Sequence, residues 1–293
     1  MHDFEFYAPT TWAEAFSLLS MEGAQVIAGG TDLVPLLRCH AAQPQVLVDL
    51  HRLPDLSYVT HDDGPVKIGA MTTHAELASS PLCVKHSPAL AQAACAMGSP
   101  HIRSRGTIGG NIASASPAGD TLPPLLTLGA VVRLASDGTE RRVPLAEFLI
   151  GPGETSLERG EILQTVEFPA PPEDAGSAFL KVGRRHAVAI SVASVAVLLR
   201  LRANVLHDVR VAAGAVAPTA IRCPATEQTL EGRPLTEETL AAAAETIHSE
   251  IQPVSDLRAS SNYRRLAAAA LLKRAVVQAA QLSKARQRRE VIE

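Results

Sequence analysis

Apolar residues in the first fifty positions recur first at helical spacing and then at strand spacing. Thr10 and Thr11 precede an Ala- and Leu-rich amphipathic stretch containing Trp12, Phe16 and Leu19, which predicts a capped helix over residues 9–19. Residues 25–28 are short and apolar and read as a strand. Gly29 and Gly30 break it, and Leu33–Arg38 resumes as a helix with Pro35 in its first turn. Residues 46–50 and 66–69 predict further strands, and 72–78 and 89–96 helices, so the first region mixes α and β. Residues 106–124 are rich in Gly, Ser, Ala and Pro. That much small and turn-forming sequence inside a compact domain predicts a functional loop. Beyond it, Asp137–Gly138 marks a hairpin turn between strands at 131–134 and 143–145.

The pattern changes after residues 169–176, where three prolines and two acids predict an interdomain linker. Residues 177–182, 191–202 and 208–215 read as successive strands, the middle one apolar on both faces and therefore central. Residues 236–251 and 262–282 are Ala- and Leu-rich helices. Strands followed by helices indicate an α+β module. The mostly charged residues 283–293 are expected to fray.

A length of 293 residues fits two cores of roughly 150 residues each. Hydrophobic residues make up 46% and charged residues 19%, as in ordinary globular protein. The net charge of −3, with no Lys/Arg run interleaved with aromatics, argues against a nucleic-acid partner. No stretch approaches the ~20 apolar residues of a membrane span, and residues 1–7 lack the cationic and apolar regions of a secretory signal, so a cytoplasmic protein is expected. Cys39, Cys83, Cys95 and Cys223 stand apart with no C-x-x-C, which argues against a zinc site, an iron–sulfur site or a disulfide framework in this chain.

Two glycine-rich segments carry the candidate chemistry. One is Ala28-Gly29-Gly30-Thr31-Asp32-Leu33. The other is Thr107-Ile108-Gly109-Gly110-Asn111, followed by Ser116-Pro117-Ala118-Gly119-Asp120. Paired glycines let backbone approach a ligand closely, and consecutive N–H groups in such turns form a concave site for phosphate oxygens. Thr31, Thr107 and Asn111 add side-chain donors, and Asp120 an acceptor. Neither segment matches a P-loop or a Rossmann fingerprint. Read from the residues alone, the segments indicate either plain turns or a phosphate-bearing cofactor.

Together the two stretches resemble the FAD-binding subunits and domains of the xanthine dehydrogenase and carbon monoxide dehydrogenase family. Ile68-Gly69-Ala70-Met71-Thr72-Thr73, Glu161-Ile162-Leu163 and Lys181-Val182-Gly183-Arg184-Arg185 extend the likeness over nearly the whole chain. The resemblance implies an α+β protein. A two-lobed FAD-binding domain of the vanillyl-alcohol oxidase (PCMH) type would span residues 1–172, with lobes at about 1–55 and 56–172. A small C-terminal domain with a three-stranded antiparallel sheet and helices would span 177–285, with a tail at 286–293.

It also implies that Ala28, Gly29, Gly30, Thr31, Asp32 and Leu33 line the FAD pyrophosphate from the first lobe, and Thr107, Ile108, Gly109, Gly110 and Asn111 from the second. Asp120 matches the family's FAD-contacting aspartate, Lys181 a lysine near the flavin, and Ile162 and Leu163 an apolar flavin contact. FAD would be bound non-covalently. A molybdopterin-binding large subunit and a small 2Fe-2S subunit would be the partners, in a dimer of heterotrimers, with electrons leaving FAD for NAD⁺ or oxygen. After Arg185, where relatives carry acidic residues, this sequence has His186, Ala187 and Val188.

His74 and His101 lie near these segments, as do Arg103 and Arg105. Isolated histidines and loop arginines are ordinarily structural or solvated, so no catalytic role is assigned to them. No Ser/His/Asp set or carboxylate dyad emerges. The rival readings are a free-standing flavin oxidase acting on its own small organic substrate, and a non-catalytic scaffold.

Overall fold

A computed structural model describes residues 3–185 and 189–290, so His186, Ala187 and Val188 lie outside the described residues. The chain begins with a small parallel sheet in which Val46–Asp49 lies between Glu5–Tyr7 and Ala24–Ile27. Parallel neighbours need crossover connections, and the helices Trp12–Leu19 and Leu33–Arg38 lie in these connections. Thr11 caps the first helix by accepting the Glu14 N–H at 3.3 Å. Ala15 and Leu19 on its inner face pack with Val46, Val48 and Leu50.

The second layer is a five-stranded sheet of antiparallel pairs in the order Val59–Thr60, Val66–Gly69, Ile162–Phe168, Val131–Ser136, Thr139–Pro144. Its central strand, Ile162–Phe168, comes from far along the chain and is buried along nearly its whole length. Glu167 in that strand is buried and pairs with Arg142. The hairpin expected around Asp137–Gly138 is formed by Val131–Ser136 and Thr139–Pro144.

The expected loop at 106–124 is different in the structure. It contains the helix Ile108–Ala113, capped by Thr107, and leads into Leu122–Thr127. Ile108, Ile112, Leu122 and Leu125 are fully buried in the core of this lobe. Helices of this length are held by packing rather than by propensity, and their apolar residues are too few to display a helical period.

The C-terminal domain is an antiparallel sheet of Gly176–Gly183, Ser191–Arg202, Val205–Gly214 and Ile221–Arg222, the last a two-residue strand beyond the three expected. Ser191–Arg202 is flanked on both sides, as its apolar pattern indicates. The helices Pro224–Leu230, Glu237–Glu250 and Ser261–Glu290 accompany the sheet. The last helix lies so close that a Cβ on Gly176 would stand 2.0 Å from the Ala279 carbonyl oxygen. Of the segment expected to fray from 283, residues 283–290 are instead helix, pinned at Ser283 and Arg286. Ser283 Oγ donates to Asp174 O at 2.7 Å and accepts the Leu201 N–H at 2.9 Å, and Arg286 donates to Ala175 O at 2.7 Å.

Among the described residues, no helix is long and apolar enough to cross a membrane. No three metal-ligating side chains cluster among them. All four cysteines are free, with Cys83 and Cys223 buried.

Candidate functional site

The two glycine segments meet. A Cβ on Gly29 would lie 1.8 Å from the Arg105 carbonyl oxygen, so the first segment's backbone touches the residues that lead into the second where only hydrogen fits. Gly30 has φ +72°, the left-handed region that favours glycine. Ser114 Oγ donates to Asp32 Oδ2 at 2.9 Å and joins the segments a second time. A Cβ on Gly110 would face Ala28 Cβ across 4.0 Å.

The donors divide unequally between the segments. The N–H groups of Ile108, Gly109, Gly110 and Asn111 are already used, by Thr72 O at 2.9 Å, Ala70 O at 2.8 Å, Thr107 Oγ1 at 3.1 Å and Thr107 O at 3.0 Å. Those from Gly29 to Leu33 meet no protein acceptor among the described residues. The first segment therefore presents consecutive unpartnered donors, and the second supplies close approach and rigidity. Asn111 accepts from Thr121 Oγ1 at 2.6 Å through its side-chain carbonyl, which leaves its amide hydrogens outward of that bond.

Beside Thr107 and Arg105 opens a cleft of about 240 Å³ with an apolar floor of Leu50, Leu53, Leu56 and Met71 and polar groups at Ser57 and Glu76. Ile162 packs in the cluster that forms this floor and is itself buried. Leu163 is buried in the neighbouring core. Neither residue lines the cleft; only Ile162 packs with its floor.

Asp120 is enclosed by the C-terminal domain. Lys181 Nζ donates to its Oδ2 at 2.5 Å and Ser191 Oγ to its Oδ1 at 2.5 Å, while Lys181 also donates to Ala189 O at 3.1 Å. Burial pushes the Asp120 carboxyl above the ordinary aspartate range, opposed by the Lys181 charge and by both hydrogen bonds. The Ala215 N–H donates to Pro117 O at 2.7 Å, so the second domain grips the same segment twice. Ser191 and Ala189 carry no local signal in the sequence. Their part comes from a strand that returns more than sixty positions after Asp120.

Of the other candidates, Arg103 is committed to Met97 O at 3.1 Å and Gly98 O at 3.3 Å, as a brace of its own turn. Arg105 lines the cleft, and His101 is exposed. His74 is buried, its Nδ1 has no partner, and its backbone N–H donates to Gly106 O at 3.0 Å. Burial lowers its pKa from 6.5 to about 4. The unfolded chain takes up that proton near 6.5 and the folded chain only near 4. Stability present above the upper value is therefore lost as pH falls through the window, by up to about 3 kcal/mol. Urea unfolding at successive pH values should show this slope in the wild type and a smaller one in His74→Gln. Equal slopes would contradict the burial account.

Comparison with known proteins bears on this arrangement. Residues 2–171 match the model of the FAD binding domain in molybdopterin dehydrogenase, and residues 178–279 that of the CO dehydrogenase flavoprotein C-terminal domain. The xanthine dehydrogenase FAD-binding subunit of Escherichia coli O157:H7 is 37% identical, over 90% of this chain and 92% of its own. The carbon monoxide dehydrogenase medium chain of Hydrogenophaga pseudoflava is 35% identical, over 93% of this chain and 96% of its own. A solved structure of carbon monoxide dehydrogenase from Hydrogenophaga pseudoflava superposes with a TM-score of 0.91, covering 97% of this chain and 98% of the matched one, at 35% identity.

Proposed function

The chain belongs to the FAD-binding medium subunits of the molybdenum hydroxylases, and from that premise we propose that it holds FAD between its two glycine segments and acts as the electron-transfer subunit of such a complex. The observation that carries the reading is the contact of Gly29 with Arg105, which sets a row of unpartnered N–H groups beside a second glycine segment. A cradle that a single Cβ would fill, with donors and no built-in acceptor, fits a diphosphate.

Ala28 to Leu33 would hold the pyrophosphate through backbone donors. Thr107 to Asn111 would close the other side, with Gly109 and Gly110 keeping the space clear and Asn111 offering its amide. The Asp120–Lys181 pair would hold the cofactor from the second domain, and Ile162, with Leu163 next to it in the strand, would support the apolar floor. Bound FAD supplies the one- and two-electron chemistry that these side chains lack. The protein's part is to bind, orient and set the electrostatics of the site.

The subunit would take electrons from 2Fe-2S clusters on a small subunit, delivered there from a molybdopterin-binding large subunit, and pass them to NAD⁺ or oxygen. The assembly would be a cytoplasmic dimer of heterotrimers. The scattered free thiols support placing the iron–sulfur centres on another chain. Titration of the purified full chain with FAD should quench flavin fluorescence at one equivalent and leave a yellow protein that small organic substrates alone do not reduce. Colourless protein that ignores added FAD would overturn the reading, and reduction by substrate without partners would favour a free-standing oxidase.

A further inference from the structure

Lys181 has three N–H donors on Nζ. One goes to Asp120 Oδ2 and one to Ala189 O, and the third has no acceptor among the described residues. Asp120 is 4% exposed and Ser191 1% exposed, so the bond between them lies away from water, where a lost donor is not replaced. Among the described residues, each carboxylate oxygen of Asp120 has one donor, Lys181 on one and Ser191 on the other.

The presence of Ser191 at this point is a product of strand register. Lys181 pairs with Ser194 and Val182 with Ala193, but Gly183 pairs with Ser191, so Val192 is an extra residue in the ladder. Paired residues share a face of the sheet, and successive residues alternate. In an unbroken ladder Gly183 would oppose Val192, and Ser191 would face the other side. The bulge brings Ser191 to the side of Lys181, which is how bulges beside functional sites re-aim a side chain. Gly183 and Ala189 lie so close that a Cβ on Gly183 would stand 2.5 Å from the Cβ of Ala189, the residue whose carbonyl holds Lys181.

We propose that Ser191 is a positioning residue for the cofactor site: its hydroxyl keeps Asp120 a carboxylate aligned on Lys181, and thereby leaves one ammonium proton of Lys181 for FAD. The inference rests on the reading that FAD is held here. The groups that act on Asp120 are Lys181, from the strand Gly176–Gly183, and the neutral Ser191, from the strand Ser191–Arg202. Burial opposes both by favouring the protonated acid. Without the hydroxyl, one carboxylate oxygen is buried with no donor. Burial then favours the neutral acid more strongly, and a neutral Asp120 no longer holds the Lys181 ammonium in line for the ligand.

The test compares the full-length wild type with Ser191→Ala and Ser191→Thr, measuring the dissociation constant of FAD by flavin fluorescence from about pH 5 to about pH 9 and the thermal midpoint of each FAD-free protein. Ser191→Ala should bind FAD about tenfold more weakly at neutral pH. Its affinity should fall on acidification at a higher pH than in the wild type, since Asp120 now ionises later. Ser191→Thr, which keeps the hydroxyl, should restore the wild-type pH profile. A lowered thermal midpoint in Ser191→Ala with unchanged affinity and unchanged pH profile would mean a purely structural role and would overturn the inference alone. A wild-type chain that takes up no FAD would overturn the functional reading and this inference with it.

Discussion

Replacing Gly29 with alanine is expected to cost the protein its FAD and about 3 kcal/mol of stability. The added Cβ would sit 1.8 Å from the Arg105 carbonyl oxygen and 3.0 Å from the Gly106 nitrogen. Both are backbone atoms, so no rotamer change relieves the overlap. The two segments must separate, and the row of donors from Gly29 to Leu33 moves with one of them. A displacement that removes the pyrophosphate contacts should weaken FAD by about 100-fold or more, since 1.4 kcal/mol corresponds to a factor of about ten.

Gly110→Ala is the matching control. Its Cβ would meet only Thr107 Oγ1 at 3.0 Å and Ala28 Cβ at 4.0 Å, so the fold should tolerate it. The methyl enters the space facing the first segment, and FAD affinity should fall while the thermal midpoint stays near the wild-type value. Wild-type FAD binding by Gly29→Ala would rule out the cradle, whatever its effect on stability.

Breaking the Asp120–Lys181 pair should be comparably severe. Both side chains are largely withdrawn from water, at 5% and 15% relative exposure, and are joined at 2.5 Å. Removing one partner from a buried pair leaves the other charge uncompensated, at a cost of about 3–5 kcal/mol. Lys181→Met should show it most clearly, because Asp120 then loses the larger of the two groups that oppose burial.

The pH dependence follows from the sign of that shift. A carboxyl whose folded pKa lies above the unfolded value binds its proton more tightly when folded. Its contribution is complete below the unfolded value of 3.8 and is lost as pH rises through the folded one. Relative to wild type, Lys181→Met should therefore be more destabilised at about pH 8 than at about pH 5 in urea unfolding. The double variant Asp120→Leu/Lys181→Met carries no unpaired charge. It should recover part of the stability and none of the FAD affinity. If it bound FAD normally, the pair would belong to the domain junction and not to the cofactor site.

The helices after Thr11 and over Leu33–Arg38, the hairpin at Asp137–Gly138, the central place of Ser191–Arg202 and the two glycine segments were all legible in the sequence. Each is declared by residues within a few positions of one another: a capping hydroxyl, an apolar period, a paired glycine that only a tight turn or a close approach requires. The nature of the cofactor came from the likeness of whole motifs to a known family, because glycine turns alone do not distinguish a diphosphate from an ordinary bend.

Tertiary structure alone decided that Gly29 lies against Arg105, that only the first segment keeps its N–H groups unpartnered, and that the small-residue run at 106–124 holds helices. It also decided that Ile162 packs with the cleft floor while Leu163 is buried in the neighbouring core. Asp120 meets Lys181 61 positions later and Ser191 71 positions later. Contacts of that range follow from how lobes and domains close on one another, and a strand bulge shifts which face a side chain takes. Neither leaves a trace in the local alternation of apolar and polar residues, which records only the conformational preference and burial of a residue beside its immediate neighbours.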